Sequence, residues 1–237
     1  MKLLLRFDVL ACLAAAFLFT VWPQIDIAVA AVFMRDGRFP INYIPAVPVL
    51  HQALHDLPRV SFGVMLVYTL AASVRKSAPW AKWRRQVAYL AIALALGPGI
   101  IVGAFKEHWG RARPAQVVEL GGDKRFTPAL VPSDQCSTNC AFTSGHAATG
   151  FYLVALGFVF PRRRRAWIVA GLVAGSVIGL MRMAQGGHFF SDIVFAGFIT
   201  WFTCLGLAVL MRPARPAGAS PPPEAAVSLS DGDRVRL

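Results

Sequence analysis

The residues that could do chemistry lie in three short stretches of an otherwise apolar chain: 106–114 (KEHWGRARP), 143–146 (TSGH) and 182–192 (RMAQGGHFFSD). Together they supply a group of cations, a turn of small residues and, in the second and third stretches, one histidine each. Cations bind phosphate oxygens, one histidine can attack phosphorus, and another can protonate a leaving group. These residue types therefore predict the cleavage of a phosphate ester.

The third stretch carries a histidine and a carboxylate at helical spacing. His188 and Asp192 are four residues apart, so on a helix they share a face. A neighbouring carboxylate holds the imidazole tautomer and stabilises the imidazolium. Arg182 precedes the Gly186-Gly187 turn, where the backbone can approach a bound group. The alternative is an interfacial helix end, with Arg182 extending its charged group towards water.

The other two stretches favour an anion. Ser144 is a typical N-cap, and the free amides of a first helical turn bind anions, with His146 close by. Lys106 and Arg113 are seven residues apart and can share a helical face, where an arginine fork matches phosphate oxygens. For the Ser144 stretch the alternative is a plain capped helix. For the Lys106 and Arg113 stretch the alternative is a set of cations that face lipid headgroups, which is weakened because cations are disfavoured in short external loops.

The composition predicts an all-α, polytopic membrane helix bundle. The 237 residues are 56% hydrophobic and only 15% charged, against roughly 25% in soluble domains. Apolar stretches of about 20 residues indicate spans. We predict six transmembrane helices in one domain, 1–211, with its core at 58–211 and an external connection at 26–57. The first apolar run is expected to remain as an anchor. The six spans are predicted at 8–25, 58–74, 87–105, 145–160, 167–184 and 191–211.

The charge pattern predicts the orientation. Lysine and arginine concentrate in the loops at 75–85 and 162–165 and in the terminal segments 2–6 and 212–215. By the positive-inside rule, these segments are predicted to be cytoplasmic. Both termini then lie in the cytoplasm of a bacterial inner membrane, and all three stretches lie at the periplasmic interface. The net charge of +12 is thus a topology signal, and we expect no nucleic-acid partner. The polar, Pro-rich segment 212–237 is expected to be a disordered cytoplasmic tail.

The three stretches resemble the motifs of the type 2 phosphatidic acid phosphatase family, which read K-x6-R-P, P-S-G-H and S-R-x5-H-x3-D. Every spacing matches, and the resemblance covers residues 58–211. Thr143 stands where the family has Pro, and Met181 where it has Ser; neither is an expected catalytic group. The chain carries the motifs as Lys106…Arg113-Pro114, Thr143-Ser144-Gly145-His146 and Met181-Arg182…His188…Asp192.

The resemblance implies a membrane phosphatase that uses no metal or cofactor. His188 would attack phosphorus and form a phosphohistidine, with Asp192 orienting its ring. His146 would protonate the leaving alkoxide. The phosphate ligands that the resemblance implies are Lys106, Arg113, Ser144, Gly145 and Arg182.

A site at the outer membrane boundary favours a phospholipid or lipid A as the substrate. The chain is most similar to bacterial lipid A phosphatases at Gly121-Gly122, at 126–128 (FTP) and at 136–140 (CSTNC). Undecaprenyl pyrophosphate, phosphatidylglycerol phosphate and phosphatidic acid remain open, as does phosphoryl transfer to a lipid acceptor. An inactive membrane scaffold or transporter is the alternative from outside this class. The sequence identifies no protein partner.

Three further features complete the prediction. Arg111 is expected at the rim of the substrate site. Cys136 and Cys140 lie in one external loop, where an oxidising compartment favours a disulfide. His51 and His55 have metal-binding spacing, but such a pair is more often interfacial or packed, and we predict no metal site.

Overall fold

The computed structural model describes residues 6–213, so most of the predicted tail, 212–237, lies outside the described residues. Over this range the chain is helical, with isolated bridges but no β-strand. The α-helices are α1 (Phe7–Val21), α2 (Gln24–Val32), α3 (Ala46–Val74), α4 (Arg84–Leu94), α5 (Val102–His108), α6 (Gly145–Phe151), α7 (Val154–Val159), α8 (Arg164–Ala184) and α9 (Phe190–Met211).

Four helical segments are long and apolar enough to cross a membrane. A fifth span results if α1 and α2, which are bent by 87° at their junction, are counted as one. The span predicted at 145–160 corresponds to Gly145–Val159, which is shorter than the others and is interrupted between α6 and α7. Four of the spans are Ala46–Val74, Pro79–His108, Pro161–Ala184 and Phe190–Met211.

Two boundaries differ from the prediction, and proline is involved in both. The first apolar run turns sharply at Pro23, which has no backbone N–H to continue α1. In contrast, Pro58 lies inside α3, which begins at Ala46 instead of at residue 58. Neighbouring groups can accommodate a proline within a membrane helix. The segment 26–57, which we predicted as an external connection, is therefore mostly helical.

The span Pro79–His108 is not a uniform α-helix. Residues Ala95–Ile101 are π-helical and contain Pro98, and this wider turn accommodates the missing donor of the proline. Gly97 lets α9 pass closely, since a β-carbon there would lie 3.4 Å from Cγ2 of Thr203. After this segment, α5 resumes and places Lys106 in its last turn.

Helices α6 and α8 approach each other through glycine. A β-carbon on Gly150 would lie 2.7 Å from the Cα atom of Gly175, and one on Gly175 would lie 2.2 Å from the ring of Phe151. Small residues of this kind allow membrane helices to pack at close backbone distance. This contact ties the helix that follows the second motif to the helix that precedes the third.

One buried cluster lies beneath the motifs. It joins Val102 of α5, Ala147 of α6, Met183 of α8 and Ile193 of α9. The C-terminal parts of the span Pro79–His108 and of α8 therefore meet the N-terminal ends of α6 and α9. Because each motif lies at one of these helix ends, the packing brings all three to the same end of the bundle.

Candidate active site

The three motifs line one cavity of ≈ 770 Å³. Backbone hydrogen bonds join their loops: the amide of Ala115 donates to the Gly186 carbonyl at 3.1 Å, and the amide of Ser144 donates to the Asp192 carbonyl at 3.3 Å. Most, but not all, of the predicted site residues line this cavity. Those that line it are Lys106, Arg113, Gly145, His146, Arg182 and His188.

His188 is held in one tautomer. Its Nδ1 atom lies 2.7 Å from the carbonyl oxygen of Ala141, and because that oxygen can only accept, Nδ1 carries the proton and Nε2 carries the lone pair. Burial lowers the pKa of His188 to about 3, an effect that the Asp192 carboxylate partly offsets. The ring is thus neutral at physiological pH, with a nucleophilic nitrogen available.

Asp192 pairs with His188, as we predicted from their spacing, but the two residues do not share a helix face. His188 precedes α9, and only Asp192 lies within it. The Asp192 carboxylate is 3.7 Å from Nδ1 of His188, and it accepts closer hydrogen bonds from Nη1 of Arg111 at 2.6 Å and from the amide of Phe189 at 2.8 Å. Asp192 therefore faces His188 from a fixed position at the start of the helix.

The three motif cations that line the cavity are held by neutral groups. Lys106 donates to the carbonyl of Cys140 at 3.0 Å, and Arg113 donates to the carbonyl of Asn139 at 2.7 Å. Arg182 donates to the side chain of Gln185. Because these partners carry no negative charge, the cations retain a strong attraction for an anion.

Gly187 makes room for one of these cations. A β-carbon at this position would lie 2.5 Å from Nη2 of Arg182. The close approach that we predicted for the Gly186-Gly187 turn is therefore an approach to a side chain of the same motif.

His146 lies in the cavity wall with one nitrogen unpartnered. Its Nε2 atom is buried and has no hydrogen-bond partner among the described residues. The ring centroid lies 4.4 Å from that of His51, which α3 brings to the cavity. His51 also has Nδ1 2.8 Å from Nη1 of Arg182. From the sequence we expected His51 to be interfacial or packed. Its contacts with His146 and Arg182, which are distant in the chain, place it in the site.

Ser144 is the N-cap of α6, as predicted, and its hydroxyl accepts from the amide of Ala147 at 3.4 Å. The side chain is fully buried and does not line the cavity, whereas its neighbour Gly145 does. The hydroxyl thus fixes the start of the helix and sets the positions of Gly145 and His146.

Arg111 is not at the rim of the site, which corrects our prediction. Its side chain is completely buried and forms ion pairs with Asp26 at 2.8 Å and with Asp192 at 2.6 Å. It also stacks on Phe189, with 4.3 Å between the guanidinium carbon and the ring centroid. A buried guanidinium requires such partners because its charge is costly to remove from water.

Cys136 and Cys140 form a disulfide, with a Cα–Cα distance of 5.7 Å. Cys12 and Cys204 are free thiols. Among residues 6–213, no group of three histidine, cysteine, aspartate or glutamate side chains is placed to hold a metal ion.

Comparisons with known proteins identify the family. A family model described as PAP2 superfamily matches residues 86–216. The chain is 36% identical over 205 residues to a lipid A 4′-phosphatase of Francisella tularensis subsp. novicida, covering 84% of this chain and 92% of that protein. It is 34% identical over 170 residues to a lipid A 4′-phosphatase of Rhizobium leguminosarum, covering 70% and 73%.

A shorter match reaches phosphatidylglycerophosphatase B of Escherichia coli, with 34% identity over 85 residues that cover 35% of this chain and 34% of that protein. No solved structure matches the chain. The family model covers more than half of the chain, and the first relative covers most of it. The chain therefore belongs to the PAP2 superfamily.

Proposed function

We propose that this phosphoric monoester hydrolase removes the 4′-phosphate of lipid A through a phosphohistidine formed on His188. The observation that carries the proposal is the convergence of the motif histidines, His146 and His188, and the motif cations, Lys106, Arg113 and Arg182, on one cavity. Such a constellation suits a phosphate ester. The two lipid A 4′-phosphatases that match over most of the chain support the choice of substrate.

In the first step, Nε2 of His188 attacks phosphorus. The P–N bond forms as the P–O bond to the lipid breaks, and negative charge shifts over the phosphoryl oxygens and the leaving oxygen. Lys106, Arg113 and Arg182 stabilise this charge without rearranging, because carbonyl and amide groups already hold them in place. Asp192 stabilises the positive charge that develops on the attacking imidazole.

His146 completes the proton balance. It donates a proton to the departing lipid oxygen from its position in the cavity wall. It then accepts a proton from the water that attacks the phosphohistidine, so that inorganic phosphate leaves and His188 returns to its neutral form. A bound phosphate dianion favours the protonated form of His146 that the first step requires.

Apolar as well as charged side chains line the cavity. Leu54, Pro58 and Phe62 of α3 belong to the lining, as do Leu94 and Pro98. A phosphate ester with a lipid body matches this mixed lining, since apolar surface leaves water while the headgroup meets the cations. A soluble sugar phosphate would leave the apolar lining without a partner.

The proposed orientation places the cavity at the periplasmic face of the inner membrane and both termini in the cytoplasm. The basic segments at 75–85 and 161–165 follow α3 and precede α8. In each case they join the helix end opposite to the one that carries the cavity residues His51 and Arg182. This separation supports the orientation through the positive-inside rule.

A lipid panel tests the proposed function. The purified full-length protein in detergent is given lipid A, phosphatidylglycerol phosphate, undecaprenyl pyrophosphate or phosphatidic acid, and free phosphate is measured. Mass spectrometry of the lipid A product then shows whether the 4′- or the 1-phosphate has been lost. We expect the 4′-phosphate to be removed fastest.

Each other outcome has a defined meaning. Faster turnover of another lipid phosphate would replace lipid A as the substrate but keep the reaction class. Phosphate transferred to an added lipid acceptor, without equivalent free phosphate, would make the protein a phosphotransferase. Turnover of no lipid phosphate would overturn the proposal and favour an inactive scaffold or a transporter.

We predict that His51 supports Arg182 in this reaction. A guanidinium can only donate, so Nδ1 of His51 accepts the hydrogen bond at 2.8 Å. Replacing His51 by Ala removes a hydrogen bond to a charged group, and kcat/KM is expected to fall about 10- to 100-fold. His51→Asn retains an acceptor near the same position and should recover part of the loss.

The control for His51 is His108→Asn. His108 is exposed on α5 and does not line the cavity, so this variant should match the wild type in a steady-state assay with the best substrate of the panel. Equal losses for His51→Ala and His51→Asn would show that the acceptor atom does not matter.

A further inference from the structure

Three consecutive carbonyl groups, at 139–141, each accept a hydrogen bond from a different side chain of the site. The carbonyl of Asn139 accepts from Arg113 at 2.7 Å, that of Cys140 accepts from Lys106 at 3.0 Å, and that of Ala141 accepts from His188 at 2.7 Å. We call residues 139–141 the carbonyl strip. A single short stretch of backbone thus contacts two cations and the nucleophile.

The strip is itself fixed from two sides. The amide of Cys140 donates to the carbonyl of Lys106, and the amide of Ala141 donates to the carbonyl of Arg111, both at 2.9 Å. Cys140 and Ala141 are completely buried. At the other side, the disulfide between Cys136 and Cys140 closes the loop that contains Asn139.

Asn139 adopts a left-handed backbone conformation, with φ of +49°. Glycine adopts this conformation readily, asparagine tolerates it, and a β-branched residue strongly resists it. The backbone N–H of Asn139 also donates to the carboxylate of Glu107 at 3.4 Å. The direction of the Asn139 carbonyl therefore depends on a backbone state that a single substitution can disturb.

The strip explains how the site holds its cations without cancelling their charge. A carboxylate in place of each carbonyl would form an ion pair and compete with a bound phosphate, whereas a carbonyl dipole orients the donor and leaves its net charge intact. The same dipole keeps the proton of His188 on Nδ1. Charge and tautomer are both properties that the proposed reaction needs.

We infer that the carbonyl strip is a positioning element for phosphate binding and for His188, and that the Cys136–Cys140 disulfide holds it in place. The inference rests on the proposed function for its catalytic part and on the cation site alone for its binding part. The disulfide closes a very short loop and so restricts the unfolded chain little. Its effect is therefore expected on the site more than on global stability.

The first test replaces both cysteines, Cys136→Ser with Cys140→Ser, in the full-length protein in detergent. Affinity for inorganic phosphate is measured by calorimetry, and kcat and KM are measured with the best lipid phosphate of the panel. Because misplacing a catalytic group by about 1 Å costs about 100-fold, we expect kcat to fall about 10- to 100-fold. Phosphate affinity should weaken as well, with little change in melting temperature.

The matched control is Cys12→Ser, which replaces a free thiol of α1 outside the cavity lining and should leave all four quantities unchanged. If the double variant binds phosphate and turns over lipid like the wild type, the inference is overturned. A loss of activity that only follows a loss of folded protein would also overturn it.

A second pair of variants separates the backbone from the side chain. Asn139→Gly and Asn139→Val both remove the amide group, but only valine opposes the positive φ. We expect Asn139→Val to have a kcat about tenfold below that of Asn139→Gly, with weaker phosphate binding. Equal values for the two variants would show that the carbonyl direction is unimportant and would overturn the inference.

The binding measurement keeps this inference distinct from the proposed function. If the wild type hydrolyses no lipid phosphate but binds inorganic phosphate, and the variants bind it more weakly, the strip is supported and the proposed function fails. If the wild type hydrolyses lipid phosphate and the variants match it, the reaction class is supported and the inference about the strip fails. A wild type that binds no phosphate would overturn the strip as a positioning element.

Discussion

Replacing His188 by Asn is expected to lower lipid phosphate release by about 10⁴-fold or more, since removal of a catalytic nucleophile costs factors of this size. Asparagine can retain a hydrogen bond to the Ala141 carbonyl but cannot form a P–N bond. The cations remain in their places, because their partners are the carbonyls of Asn139 and Cys140 and the side chain of Gln185. Inorganic phosphate should therefore still bind, which separates a loss of chemistry from a loss of binding.

The covalent intermediate gives this prediction a direct readout. A rapid alkaline quench of the wild type during turnover should preserve a phosphorylated histidine, and peptide mass spectrometry should locate it at His188. His146→Ala slows the second step by removing its proposed base, and any intermediate that still forms should persist for longer. His108→Asn is the matched histidine control. Retained activity in His188→Asn, or a phosphoryl group on another residue, would contradict the mechanism.

The motif side chains that line the cavity were predictable because they lie in short motifs at helix ends. Lys106 lies in the last turn of α5, His146 in the first turn of α6 and Arg182 in the last turn of α8. Once the order of the spans is known, these ends must meet at one side of the bundle. The apolar composition was sufficient to predict a helical chain with segments long and apolar enough to cross a membrane, since such segments follow from the solvent that surrounds the helices.

The groups behind the cavity wall were not predictable, and Arg111 shows why. Its interpretation as a rim residue came from its place among other cations, but its partner Asp26 lies 85 residues away in the chain. Spacing within a motif carries no information about such a contact. His51 was missed for the same reason, since 131 residues separate it from Arg182. The carbonyl strip was invisible because backbone groups leave no pattern in the sequence.

The exact lengths of the helices also depended on tertiary context. Pro58 would end most helices in a soluble protein, yet α3 continues through it. The run at 145–160 has the composition of a span but is interrupted after Phe151. There the chain packs against the glycines of α8, a contact that no local rule predicts.

Arg111 carries the second large prediction, because it is a single cation between two buried carboxylates. Asp26 accepts from Arg111 at 2.8 Å, and it also accepts from the hydroxyl of Ser191 at 2.5 Å and from the Ser191 amide at 2.9 Å. The side chains of Arg111, Asp26 and Asp192 are each at most 1% exposed. Helix α2, which precedes the region matched by the family model, is thereby tied to the carboxylate beside His188, the proposed nucleophile.

Replacing Arg111 by Met is expected to lower the free energy of unfolding by about 3–5 kcal/mol, because it leaves buried negative charge without a partner. The melting temperature in detergent measures this effect. Activity per folded molecule should fall too, since Asp192 loses its contact at 2.6 Å and His188 loses a fixed neighbour. Arg125→Met is the matched control: Arg125 lies in the same connection between α5 and α6 and has an exposed side chain, and its loss should change stability by no more than about 0.5 kcal/mol.

A double substitution distinguishes unpaired charge from lost packing. Asp26→Asn in the Arg111→Met background removes one of the two carboxylates. The double variant should therefore lose about 1–3 kcal/mol less unfolding free energy than the sum of the losses of the two single variants. If the instability came only from the poorer fit of methionine against Phe189, the second substitution would add its own cost and no coupling would appear. Strict additivity would therefore contradict the electrostatic role assigned to Arg111. If the two substitutions are coupled and the double variant also regains part of the activity, the position of Asp192 is controlled by this network of Arg111 and Asp26, of which Asp26 lies outside the three motifs.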